Sequence, residues 1–158
     1  MPYSKSIEDY IKMYEAMTME EVHQRGVLVT KAIVRNLEYY FGVFSNGARK
    51  LVAPIICGFC VAAMDTNGIV LPEGEYELYR LIMSQVFGKE YSRSDFDRYT
   101  EEASSANYLD KVEKYCSKNA DLRNSIVELG IIVGFADRTL TSNEYNVVKY
   151  IRSIQNRW

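Results

Sequence analysis

Along most of the chain, apolar residues recur every three or four positions, the spacing that lines one face of a helix. Ile7, Tyr10, Ile11 and Tyr14 predict a first helix beginning near Ser4 or Ser6. Thr18-Met19-Glu20-Glu21 is a capping box, in which the Thr18 side chain accepts the Glu21 amide and Glu21 reaches back. It opens a long second helix through Val27, Ala32, Ile33, Leu37 and Tyr40 to about Phe41, after which Ser45-Asn46-Gly47 marks a loop. Leu51 to Met64 is apolar nearly all round and predicts a central, buried helix. Pro54 suits its first turn, where an amide donor is orphaned anyway, and Asp65-Thr66-Asn67-Gly68 ends it. Pro72 then suits the first turn of a helix that stops at Gly88. Further helices are predicted from Ser92 or Ser94, over Tyr108 to Tyr115, and from near Asn119 to Asp137. A second capping box, Thr141-Ser142-Asn143-Glu144, opens the last helix, which runs to about Ile154. Gly68-Ile69-Val70-Leu71 is too short and solitary for a strand. The pattern predicts an all-α fold of about seven helices.

Part of this pattern occurs twice. Ser45, Ala48, Gly58, Val61 and Asp65 lie over Ser117, Ala120, Gly130, Val133 and Asp137 at a constant offset, without a gap. The match resumes as Glu75-Tyr76 over Glu144-Tyr145 after a longer loop in the first copy. A repeated supersecondary unit predicts two copies packed around one core. The expected organisation is one helical domain over 1–158: N-terminal helices (1–44), first repeat (45–88), connecting helices (92–116) and second repeat (117–158). The segments 51–64 and 122–136 are expected at the centre, with Gly58 and Gly130 marking a close approach of backbones, since a helix-interior glycine costs ~1 kcal/mol relative to alanine.

Charge and cysteine content narrow the classes. A net charge of −2 gives no reason to expect a nucleic acid partner, which calls for a basic surface. The longest apolar stretch, Leu51 to Met64, is too short for a membrane span, which needs about 20 residues. No apolar leader segment is visible after Met1, and three cysteines, an odd number, suit a reducing compartment. A cytoplasmic protein is expected.

The candidate chemistry lies in the repeat. Asp65 with Glu75, and Asp137 with Glu144, are carboxylates at helix ends, hard oxygen ligands suited to Ca²⁺ or Mg²⁺. The structural alternative is that the aspartates shape turns while Glu144 serves as capping partner of Thr141. For a metal, the first loop offers the richer set: Asp65, Asn67, Glu73 and Glu75. Arg138 places a fixed positive charge directly after Asp137. Cys57-Gly58-Phe59-Cys60 sits inside the apolar helix, where packing explains it better than zinc or redox chemistry. His23, the single histidine, lies on the second helix with no nucleophile in a recognisable frame, so no catalytic residue is assigned. Tyr39, Tyr40, Phe41 and Phe44 cannot all face one core from a helix and are the candidate interface.

An apolar helix ending in Asp, a short loop and a Glu opening an amphipathic helix, all occurring twice, resembles the TerB-like family of tellurite-resistance proteins. The likeness covers roughly residues 45 to 154. Phe135-Ala136-Asp137-Arg138-Thr139-Leu140-Thr141-Ser142-Asn143-Glu144 fits the family spacing, with Arg138 where Gly is usual. In the first copy the Gly is Gly68, after Asn67. The resemblance implies a duplicated helical core and a stress-related role. Two functions are therefore carried forward. One is a non-enzymatic module that binds a protein partner, a further copy of itself, or a ligand or metal ion. The other is a metal-dependent hydrolase or phosphoryl-handling enzyme using the four repeat carboxylates, which would have to converge in space.

Overall fold

The structure is a computed structural model that describes residues 6–43, 47–49, 52, 55–56, 73–88, 92, 94, 98, 108–136 and 142–154. It is all-α. Six helices are delimited among these residues, and no described residue is in a strand. They are α1 (Ile7–Glu15), α2 (Met19–Phe41), α3 (Glu73–Phe87), α4 (Tyr108–Cys116), α5 (Ala120–Phe135) and α6 (Ser142–Ser153). Residues 47–49, 52, 55 and 56 are also helical, so helical backbone follows the predicted loop at Gly47 itself. No described helix is long and apolar enough to cross a membrane.

The ends of these helices follow from local chemistry. Ser6 Oγ accepts the Asp9 amide at 3.1 Å and starts α1. The capping box at α2 is formed in both directions: Thr18 Oγ1 accepts from Glu21 N–H at 3.2 Å, and Glu21 Oε1 from Thr18 N–H at 3.0 Å. Gly42, at φ 64°, ends α2 in the left-handed conformation and donates to the Glu38 carbonyl at 3.1 Å. Gly88 does the same for α3, donating to Ser84 O at 3.0 Å. Asn119 Oδ1 accepts the Leu122 amide at 2.8 Å and opens α5. Each signal spans only a few residues of chain.

α5 is the centre of the described structure and touches every other described helix. From Ile126 to Phe135 it is buried without interruption, and its sequence there is apolar apart from Glu128. Its most extensive contact is with α2, whose Val22, Val27, Val29, Ile33 and Leu37 face inward. Gly26 lets α2, α3 and α5 meet: a Cβ there would lie 2.8 Å from Leu78 Cδ1 and 3.2 Å from Ile132 Cγ2. Gly130 is buried within α5, whereas Gly58 and most of the segment 51–64 lie outside the described residues. Ala48, Val52, Ile55 and Ile56 of that region are buried in the same core. Polar ties close the periphery. Tyr145 donates to Glu8 at 2.9 Å, joining α6 to α1, and Arg123 donates to the Ile154 carbonyl at 2.7 Å.

Candidate functional site

α2 buries one face against the core and leaves the opposite face in water. At its C-terminal end Tyr39 is 82% exposed and Tyr40 50% exposed. Their rings meet edge to face, with centroids 4.8 Å apart at 83°. Phe41 turns the other way and is half-buried, meeting the Tyr115 ring edge-on at 5.0 Å and fastening α2 to α4. Of the predicted aromatic interface, Tyr39 and Tyr40 are thus brought together on the surface, and Phe41 packs inward. Phe44 lies outside the described residues.

From Tyr39, but not from Tyr40, an exposed face continues along the helix. Glu20, Glu21, Gln24, Leu28, Lys31, Arg35, Glu38 and Tyr39 are all exposed, and their spacing of three and four places them in one stripe. Leu28 is 55% exposed, an uncovered apolar side chain midway along it. Lys31 and Arg35 are a like-charge pair at i, i+4, which disfavours the helix by ~0.2–0.5 kcal/mol. Neither makes an ion pair among the described residues. The sequence reading missed Leu28 and this pair. The signal was available as the outward register of the long helix once its inward residues were known.

A second assembly is buried where α1, α2 and α5 meet. Glu128 is only 6% exposed and accepts the Tyr14 hydroxyl on Oε2. The same oxygen accepts Arg25 Nε at 2.9 Å, and Oε1 faces Arg25 Nη2 at 3.4 Å. Burial, reinforced by the bond to Glu128, raises the Tyr14 hydroxyl above its ordinary pKa. The bond to Glu128 likewise raises that of Arg25. Both carboxylate oxygens are occupied by neighbours, so the network holds three helices in register and offers no free base. A cavity of about 90 Å³ adjoins it, lined by Tyr14, Glu15, Met17, Met19, Val22 and Phe135.

His23 borders a larger hollow of about 330 Å³ between α2 and α3, with Glu77, Arg80, Leu81 and Ser84. Burial lowers the imidazole pKa, opposed by the charge of Glu77, and favours the neutral ring. Arg80 Nη2 pairs with Glu77 Oε2 at 3.0 Å in the open. His23 Nε2 is buried with no hydrogen-bond partner among the described residues. Cys116 is buried, and burial pushes its thiol up to about 12, so it is inert near neutral pH.

Asp65, Asn67 and Asp137 lie outside the described residues, as do the side chains of Glu73, Glu75 and Glu144, whose backbones are helical. The proposed Ca²⁺ or Mg²⁺ site and the four-carboxylate alternative therefore fall there too. Among the described residues no group of three His, Cys, Asp or Glu side chains could hold a metal ion. No protein-family model, curated protein or solved structure matches the chain.

Proposed function

We propose that the chain is a non-enzymatic, TerB-like helical module that recognises a protein through the outward face of α2. The observation that carries this reading is the Tyr39–Tyr40 pair: two aromatic rings stacked edge to face in solvent at the end of a helix that is otherwise firmly packed. Tyrosine is enriched at protein interfaces because a rigid, amphipathic ring gives much contact area for little lost entropy. The apolar Leu28 extends the same surface. The buried polar groups support a scaffold in place of an active site, because Glu128 is engaged on both oxygens.

The test is the double substitution Tyr39→Ala/Tyr40→Ala. Tyr39 is largely solvated and Tyr40 half so, and unfolding stability should change by no more than about 0.5 kcal/mol for Tyr39 and about 1 kcal/mol for Tyr40. Association with the partner, whether another protein or a second copy, should weaken at least tenfold. A protein that is strictly monomeric and retains no partner in its cell of origin would defeat the interaction reading.

A further inference from the structure

We infer that the partner is a second copy of this chain, and that two α2 helices pair antiparallel about a two-fold axis at Leu28. This rests on the interaction reading above and names its occupant. In such a pair, a residue a given number of positions after Leu28 faces the residue the same number before it on the other copy. Seven residues make about two turns, so positions seven before and seven after Leu28 share its face. Those positions are Glu21 and Arg35, of opposite charge and both exposed.

Leu28 therefore meets Leu28 of the second copy, and Arg35 meets its Glu21, twice over by symmetry. Tyr39, eleven positions after Leu28, lies beyond the start of the second copy's α2, which begins at Met19. By the same rule Lys31 falls at the level of the second copy's Arg25, which is already paired with Glu128, so the counter-charge gained across the axis is the one Glu21 offers to Arg35. A parallel pair would set Glu21 beside Glu21 and Arg35 beside Arg35, so charge fixes the orientation. Each surface is complementary to itself, as an isologous interface requires. Glu21 keeps its capping role, since only Oε1 is taken by the Thr18 amide. A membrane surface fits less well, because two cations flanked by three glutamates fall short of the four to eight basic residues that anionic lipid attracts.

One helix face on each side makes a small interface, so a weak, concentration-dependent dimer is expected. Sedimentation equilibrium over about 1 to 500 μM, at low and high salt, should show the mass rising from 18.2 kDa towards twice that value, less steeply at high salt. Leu28→Asp places like charges on the axis and should leave a monomer. Arg35→Glu and Glu21→Arg should each weaken self-association at least tenfold, yet an equimolar mixture of the two should dimerise, because each then offers the charge the other lacks. Circular dichroism of each variant confirms that the helices remain.

A monomer at every concentration overturns the proposal, as does a dimer indifferent to Leu28→Asp. Failure of the mixed variants to pair overturns the antiparallel register. A monomer that still retains a different protein through Tyr39 and Tyr40 overturns self-pairing and leaves the interaction reading standing. Binding to vesicles of phosphatidylserine and phosphatidylcholine that is lost with Leu28→Asp would overturn it in favour of a membrane.

Discussion

At the scale of single residues, Glu128 shows how a charge survives among Ile126, Val127, Leu129 and Ile131. An unpaired carboxylate there would cost several kcal/mol, and the Tyr14 hydroxyl and Arg25 guanidinium remove that cost. Tyr14→Phe should lower stability by about 1.5–3 kcal/mol, the usual worth of a hydrogen bond to a charged group. The same bond sets an alkaline limit. Burial and Glu128 raise the Tyr14 pKa in the folded chain above its unfolded value of about 10. The stabilisation is therefore complete below about pH 10 and is lost as the pH rises beyond it. Urea unfolding from about pH 8 to 11 should show the wild type weakening and Tyr14→Phe weakening less steeply; Tyr10, also raised by burial, leaves a residual slope. Equal slopes would separate Tyr14 from this linkage. The network was only half legible in the sequence. A lone acid within an apolar helix must have partners, but nothing in the chain says that they come from α1 and α2.

Elements were more legible than their contacts, because a cap is written within four residues and a packing site is not. Ser6, Thr18, Gly88 and Asn119 act at the helix ends where the sequence places them. Gly42, the stop of α2, carried the same glycine signal but was passed over for the Ser45-Asn46-Gly47 cluster, of which Gly47 is helical. The repeat directs attention to Gly58 and Gly130; among the described residues Gly26, which has no counterpart in the repeat, is a glycine whose missing side chain allows a close approach. Its substitutions should separate two opposing effects. Gly26→Ala gains up to ~1 kcal/mol of helix propensity but sets its methyl group against Leu78, so its net change should stay within about 1 kcal/mol. Gly26→Val adds two more carbons between α2, α3 and α5 and should destabilise by about 2–3 kcal/mol, read as a lower urea midpoint. If valine were as well tolerated as alanine, the close approach of α2 to Leu78 and Ile132 would be wrong.

On the scale of the whole molecule, the central position of α5 implies that the described helices hold or fail together. α1, α2, α3, α4 and α6 all pack against it, and its own inner turns are buried. The apolar run from Ile126 to Phe135 announced a buried helix, but the choice of α2 as its main partner depends on contacts far apart in sequence, which periodicity does not encode. Cys116, at the end of α4 where it meets α5, reports on this cooperativity. Its side chain is fully buried and burial holds its thiol near 12, so both access and ionisation oppose reaction in the folded state. Iodoacetamide treatment at about pH 8, with peptide mass mapping to distinguish Cys116 from Cys57 and Cys60, should leave Cys116 unmodified in native buffer. In increasing urea its modification should rise in step with the loss of helical circular dichroism, because local fraying of α4 would not free a residue packed on the central helix. Reaction of Cys116 within minutes while the helical signal is intact would show that α4 opens alone, and would break the single cooperative unit into parts.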